Sequence, residues 1–91
     1  MMPIFLRAQG FKVYFWSNES DEPIHFHVTK GDPSPNDTKI WIKKDKTFQV
    51  ASNRGRISDK DLMRIMILMH SYVDEYISVW KAHLGYEKYI G

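Results

Sequence analysis

Between Phe11 and Ser52 the chain alternates residue by residue, and this period of two limits the possible folds more than any other feature of the sequence. Successive side chains on a β-strand point to opposite faces, so alternation marks strands with one buried side. The stretch "FKVYFWS" sets Phe11, Val13 and Phe15 against Lys12, Tyr14 and Trp16. The stretch "IHFHVT" sets Ile24, Phe26 and Val28 against His25, His27 and Thr29, just after Pro23, where proline is tolerated. In "TKIWIKK" Ile40 and Ile42 oppose Lys39, Trp41 and Lys43, and in "TFQVAS" Phe48 and Val50 oppose Thr47 and Gln49. The intervening "NESDEP", "KGDPSPND" and Asp45-Lys46 carry turn chemistry that does not continue a strand. Four short antiparallel strands are predicted from these runs.

After "NRGRI" the period changes. Ser58 has the chemistry of a helix N-cap, with Asp59 and Asp61 in the first turn, where carboxylates complement unpaired amides and the helix dipole. No proline or glycine follows before Gly85, a C-terminal stop, and Leu62, Ile65, Met69, Tyr72, Val73, Tyr76 and Trp80 form one stripe. Such a helix would run on the order of 40 Å, beyond what four short strands cover. It is therefore expected either to break near His70-Ser71 or to project past the sheet. Its first half, "LMRIMILMH", is apolar nearly all round, with Met63, Met66 and Ile67 flanking the main stripe. A helix of that kind has something against more than one face: the N-terminal "PIFLR", a second copy, or a partner protein. The tail "YEKYIG" either docks through Tyr86 and Tyr89 or frays. The predicted fold is α+β, a single domain over residues 1–91. It has an antiparallel sheet of about four strands, open to extension by the N-terminal segment, with one long or broken C-terminal helix packed on one face.

Composition narrows the function classes. Ninety-one residues suffice for one core only, and 43% hydrophobic with 26% charged residues is the balance of an ordinary globular domain. The aromatic share, 14%, exceeds what so small a core needs, so some rings are expected on a working surface. A net charge of +2 with acids and bases interleaved permits nucleic acid without directing the chain to it. The absence of cysteine excludes disulfides and thiolate metal sites and fits the expected cytoplasmic location. No leader pattern and no apolar run approaching about 20 residues is present, so neither export nor membrane association is expected.

The alternation also places the candidate site. His25 and His27 must point the same way, and Tyr14, Trp16, Trp41 and Gln49 join them on the face away from the helix if pairing keeps register. Such a face stacks planar groups, binds another protein, or is covered by the chain's own loops or N-terminal segment. Two histidines at i and i+2 lie roughly 6 to 7 Å apart and converge on one ion, but two ligands are not a site. Nothing in the spacing selects Glu22, Asp32, His70 or His83 as a third, and no metal site is expected. Paired imidazoles also suit acid–base cleavage of RNA through its 2′-hydroxyl, with Lys30, Arg54 or Arg56 neutralising the phosphate. The "SNRGR" segment holds Asn53, Arg54 and Arg56 around Gly55, either as a tight turn or as an anion site before the helix. It lacks nucleotide-loop spacing, and there is no dinucleotide fingerprint, so no cofactor is expected.

The run "FKVYFWSNESDEPIHFHVTKGD", followed by "NRG" ahead of a helix ending near Trp80, resembles the bacterial family called domain of unknown function 4160. The resemblance spans roughly Met2 to Leu84 and rests on Pro23, His25, His27, Val28, Gly31, Asn53, Arg54, Gly55 and Trp80. Ile24 stands where the family usually has a second proline. The resemblance implies no established reaction. It does imply a protein partner, because members are often encoded beside another small protein, as in toxin–antitoxin pairs. Two functions are expected. One is an interaction module that binds a partner protein or nucleic acid through Tyr14, Trp16, His25, His27, Trp41, Asn53, Arg54 and Arg56. The other is a small nuclease-type hydrolase using His25 and His27 as an acid–base pair or as metal ligands.

Overall fold

The computed structural model describes residues 3–17 and 22–91; most of the "NESDEP" turn lies outside them. The elements are β1 (Ile4–Ala8), β2 (Phe11–Tyr14), β3 (His25–Thr29), β4 (Thr38–Ile42), β5 (Phe48–Ser52), α1 (Asp59–Ser71) and α2 (Val73–Leu84). The strands form one antiparallel meander in the order β1-β2-β3-β4-β5.

The structure decides two points that the sequence left open, the extent of the sheet and the continuity of the helix. The sheet has five strands rather than about four, because "PIFLR" pairs along β2 instead of folding over the helix. Gln9 and Gly10, at φ 52° and 81°, make the two-residue turn of positive φ whose twist matches a hairpin. Register shifts between Ile4 and Leu6, a bulge that spoils the alternation by which the strand would be recognised. Phe5, inside that shift, meets the Tyr76 ring edge-on at 5.1 Å.

For the helix, the break is the expected alternative that holds: it divides at Tyr72 (φ −116°, ψ 11°) into two helices, α1 and α2, just beyond His70-Ser71. There the Tyr72 amide donates to Met69 O at 3.0 Å, a tightened turn, before Tyr76 N–H resumes the helix on Tyr72 O at 2.9 Å. No proline or glycine stands at the joint. The longest dimension of the fold is 31 Å, so a straight rod of about 40 Å would leave its end unpacked. Bending lets Leu62, Ile65 and Met69 of α1 and Val73, Tyr76, Ile77 and Trp80 of α2 all reach the same sheet.

The helix ends follow their caps. Ser58 Oγ accepts the Asp61 amide at 3.2 Å, and Gly85, at φ 79°, turns the chain with its N–H on Lys81 O at 2.8 Å. The tail then docks rather than frays: Ile24 N–H donates to Lys88 O at 2.7 Å and Lys44 N–H to Gly91 O at 3.2 Å. Tyr86 and Tyr89 pack against the core, and the Tyr86 hydroxyl donates to Glu22 O at 2.7 Å.

The core lies between sheet and helices. It takes Phe11, Val13, Phe26, Val28, Ile40 and Ile42 from the strands and Met69, Tyr76 and Trp80 from the helices. Each such fully buried aliphatic or aromatic side chain is worth about 1.5–3 kcal/mol relative to exposure. Among the described residues, no helix is long and apolar enough to cross a membrane.

Candidate binding face

Pairing keeps the second set of side chains together. Tyr14 lies opposite His27, His25 opposite Trp41, and Trp41 opposite Gln49, so all of these project from the sheet face away from the core. The rings form a connected row. Trp16 meets Tyr14 edge-on at 5.5 Å, Tyr14 stacks on His27 at 5.2 Å, His27 meets His25 at 5.0 Å, and His25 meets Trp41 at 5.4 Å.

The row is not uniformly open. Tyr14 is fully buried because the β3–β4 loop, the "KGDPSPND" stretch, folds across it. Its hydroxyl donates to the Asp37 carboxylate and lies 3.4 Å from Ser34 O, while Asp37 Oδ2 also accepts the Ser34 amide at 2.8 Å. Tyr14 is thus an anchor for the loop rather than a contact residue.

The two histidines also part company. His27 is half-buried at the surface, whereas His25 is 0% exposed. The β2–β3 ladder stops at Tyr14–His27 while the β3–β4 ladder continues to His25–Trp41, so no β2 residue is paired beside His25. Trp80 of α2 approaches there, with ring centroids 5.2 Å apart, and the Tyr76 hydroxyl donates to the His25 carbonyl. His25 Nδ1 is 2.8 Å from Pro23 O, which assigns the proton to Nδ1 because a carbonyl only accepts. Alternation sends this ring away from the helices in register, yet a helix residue still closes on it.

What remains accessible is Trp16, His27 and Trp41, each half-buried, with Gln49 exposed at the rim. Lys39 Nζ lies 4.3 Å from the centre of the Trp41 ring and 2.6 Å from the Glu22 carboxylate, so this cation is both stacked and neutralised.

Asn53, Arg54 and Arg56 sit where β5 turns into α1. Asn53 is occupied internally: Oδ1 accepts the Thr38 hydroxyl at 2.7 Å and the Ile57 amide at 3.0 Å, and Nδ2 donates to Ile57 O at 2.8 Å. Gly55 lies so close to β4 that a Cβ there would fall 2.9 Å from Thr38 Oγ1. The "NRG" run therefore fastens a turn onto the sheet. Arg54 and Arg56 are exposed, and Arg56 lines a cleft of about 330 Å³ together with Lys30, Asp37 and Asp61. Two carboxylates balance the two cations of that cleft, so it offers no net positive field to a phosphate.

Among the described residues no group of three or more histidine or carboxylate side chains is placed to hold a metal ion. Of the other candidate ligands, His83 faces Phe15 at 5.5 Å and His70 faces Phe48 at 6.3 Å, away from the row. The buried contact of Trp80 with His25 and the Tyr14–Asp37 anchor have no signal in local sequence, because each joins segments distant in the chain.

Comparison with curated proteins and with solved structures gives no match. A family model does match, over residues 10–81, from the hairpin turn before β2 into the last turn of α2. That span holds the aromatic row, the "NRG" turn and Trp80, and the chain belongs to the family described as domain of unknown function (DUF4160).

Proposed function

We propose that the chain is a non-catalytic module that binds a partner protein on the half-open aromatic face. The observation that carries this reading is the division of the histidine pair: His25 is 0% exposed with Nδ1 given to Pro23 O, while Trp16, His27 and Trp41 stay half-open beside it. Acid–base cleavage needs two imidazoles that exchange protons with substrate, and burial of one weighs against the hydrolase reading. An aromatic patch with a polar rim of Gln49, Lys39 and Glu22 instead has the make-up of a protein interface. Nucleic acid is the weaker partner because phosphate binding draws on uncompensated cations, and Lys39 already serves Glu22 and Trp41.

The test is recovery of the tagged chain from its native cells, with bound proteins identified by mass spectrometry and their affinity then measured on purified components. Trp16→Ala and Trp41→Ala are each expected to weaken that affinity by about 30-fold, the loss typical of a central aromatic contact. Both variants should keep the wild-type circular dichroism. Unchanged affinity in both would remove this face from the interaction, and RNA cleavage by the purified chain that His27→Ala abolishes would favour the hydrolase.

A further inference from the structure

The opposite side of the molecule leaves part of its core face uncovered. Phe48 and Val50 pair with Ile42 and Ile40 and so project toward the helices, yet Phe48 is only half-buried and Val50 is 38% exposed. Beside them α1 exposes Met63 and Ile67 at 62% and 66%, the largest exposures among its apolar residues. Between strand and helix runs an open groove of about 360 Å³ lined by Thr47, Phe48, Met63, Met66, Ile67 and His70. The N-terminal segment, the cover expected from the sequence, is committed to β2 at the other edge of the sheet.

The α1 flank that borders this groove has a symmetric spacing. Asp59, Met63, Met66 and His70 follow one another at intervals of 4, 3 and 4 residues, which places all of them along one line of the helix. The apolar pair is central, a carboxylate closes the N-terminal end, and an imidazole closes the C-terminal end. We infer that this flank binds the same flank of a second copy, with the two α1 helices antiparallel about a two-fold axis.

In that arrangement Met63 meets Met66 of the other copy, and Asp59 accepts a hydrogen bond from the His70 ring of the other copy, twice by symmetry. Ile67 moves over the groove beside the partner's Phe48. Antiparallel packing also sets each helix N-terminus beside a C-terminus, which the dipoles favour. A parallel pair would instead bring like groups together at both ends. The aromatic row lies on the other side of the sheet, so association through α1 leaves it free. A single helix seam is small for a stable interface, below about 1,200 Å² in total, and association in the micromolar range is expected.

Sedimentation velocity of the full chain over a concentration series tests the inference. A reversible monomer–dimer equilibrium is expected, and Met63→Lys should abolish it while leaving the helical circular dichroism unchanged, because the side chain is already 62% exposed. Asp59→Lys should weaken association about tenfold, and adding His70→Glu to that variant should restore it. A chain that stays monomeric at millimolar concentration overturns the inference, as does a dimer indifferent to Met63→Lys. A dimer that Asp59→Lys weakens and His70→Glu does not rescue overturns the antiparallel arrangement.

Discussion

Replacing Gly55 with alanine puts the packing of the "NRG" turn to a quantitative test. The added Cβ would stand 2.9 Å from Thr38 Oγ1 and 3.3 Å from Thr38 N, the second of which is backbone of a central strand. Thr38 is fully buried, and its hydroxyl is held on Asn53 Oδ1 at 2.7 Å, so rotating it away breaks that bond. Overpacking of this kind costs about 1–3 kcal/mol, and the lost hydrogen bond adds about 1 kcal/mol. Alanine offsets about 0.4–1 kcal/mol of this by restricting the unfolded chain. The net expectation is destabilisation by about 2 kcal/mol. For a domain of this length that lowers Tm by about 8–16 °C. Urea unfolding followed by the fluorescence of the three tryptophans measures it directly. Gly31→Ala serves as the control, since nothing lies within 4 Å of its would-be Cβ, and it should stay within about 0.5 kcal/mol of wild type. Thr38→Ala removes the obstructing hydroxyl, so Gly55→Ala should cost about 1 kcal/mol less in that background. If Gly55→Ala proved neutral, or if its cost were the same with and without the Thr38 hydroxyl, the proposed contact between turn and β4 would be refuted.

Two other expectations concern the loop and the tail. Tyr14→Phe removes the donor that ties the β3–β4 loop to the sheet through Asp37, at a cost of about 1–3 kcal/mol because the acceptor is charged. Hydrogen exchange should then quicken at residues 30–37 and not in the helices; uniform acceleration would show that Tyr14 supports the whole core instead. In the tail, partial burial and then the hydrogen bond to Glu87 push the Tyr89 hydroxyl up from 10.0 to about 12. Because the folded value is raised, the stabilisation is present below the unfolded value of 10.0 and is lost as pH climbs toward about 12. Absorbance at the tyrosinate band should show a late-ionising tyrosine that Tyr89→Phe removes and Glu87→Gln moves toward the ordinary value; a Glu87→Gln titration identical to wild type would contradict the pairing.

Some of this was legible in the residues and some was not. Alternation identified four strands and both sets of facing residues because period two is a property of consecutive positions, and the observed pairings of Tyr14 with His27 and His25 with Trp41 keep the sets apart. Ser58 and Gly85 marked the ends of the helical region because caps too are local. The fifth strand stayed an open alternative because of the register shift around Phe5, where the period fails. Asn53 carried no mark of its three internal hydrogen bonds, since those depend on where Thr38 and Ile57 come to lie.

In β2 to β5 the sequence by itself determined which side of the sheet the side chains take, including both imidazoles. Only the tertiary structure decided which of them water reaches. His25 is enclosed by Trp80, whose helix neighbour Tyr76 bonds the His25 carbonyl across 51 residues, and Tyr14 is enclosed by a loop anchored 23 residues away at Asp37. Direction from a strand is set by the backbone of the residue itself, whereas exposure is set by whatever the rest of the chain packs against it.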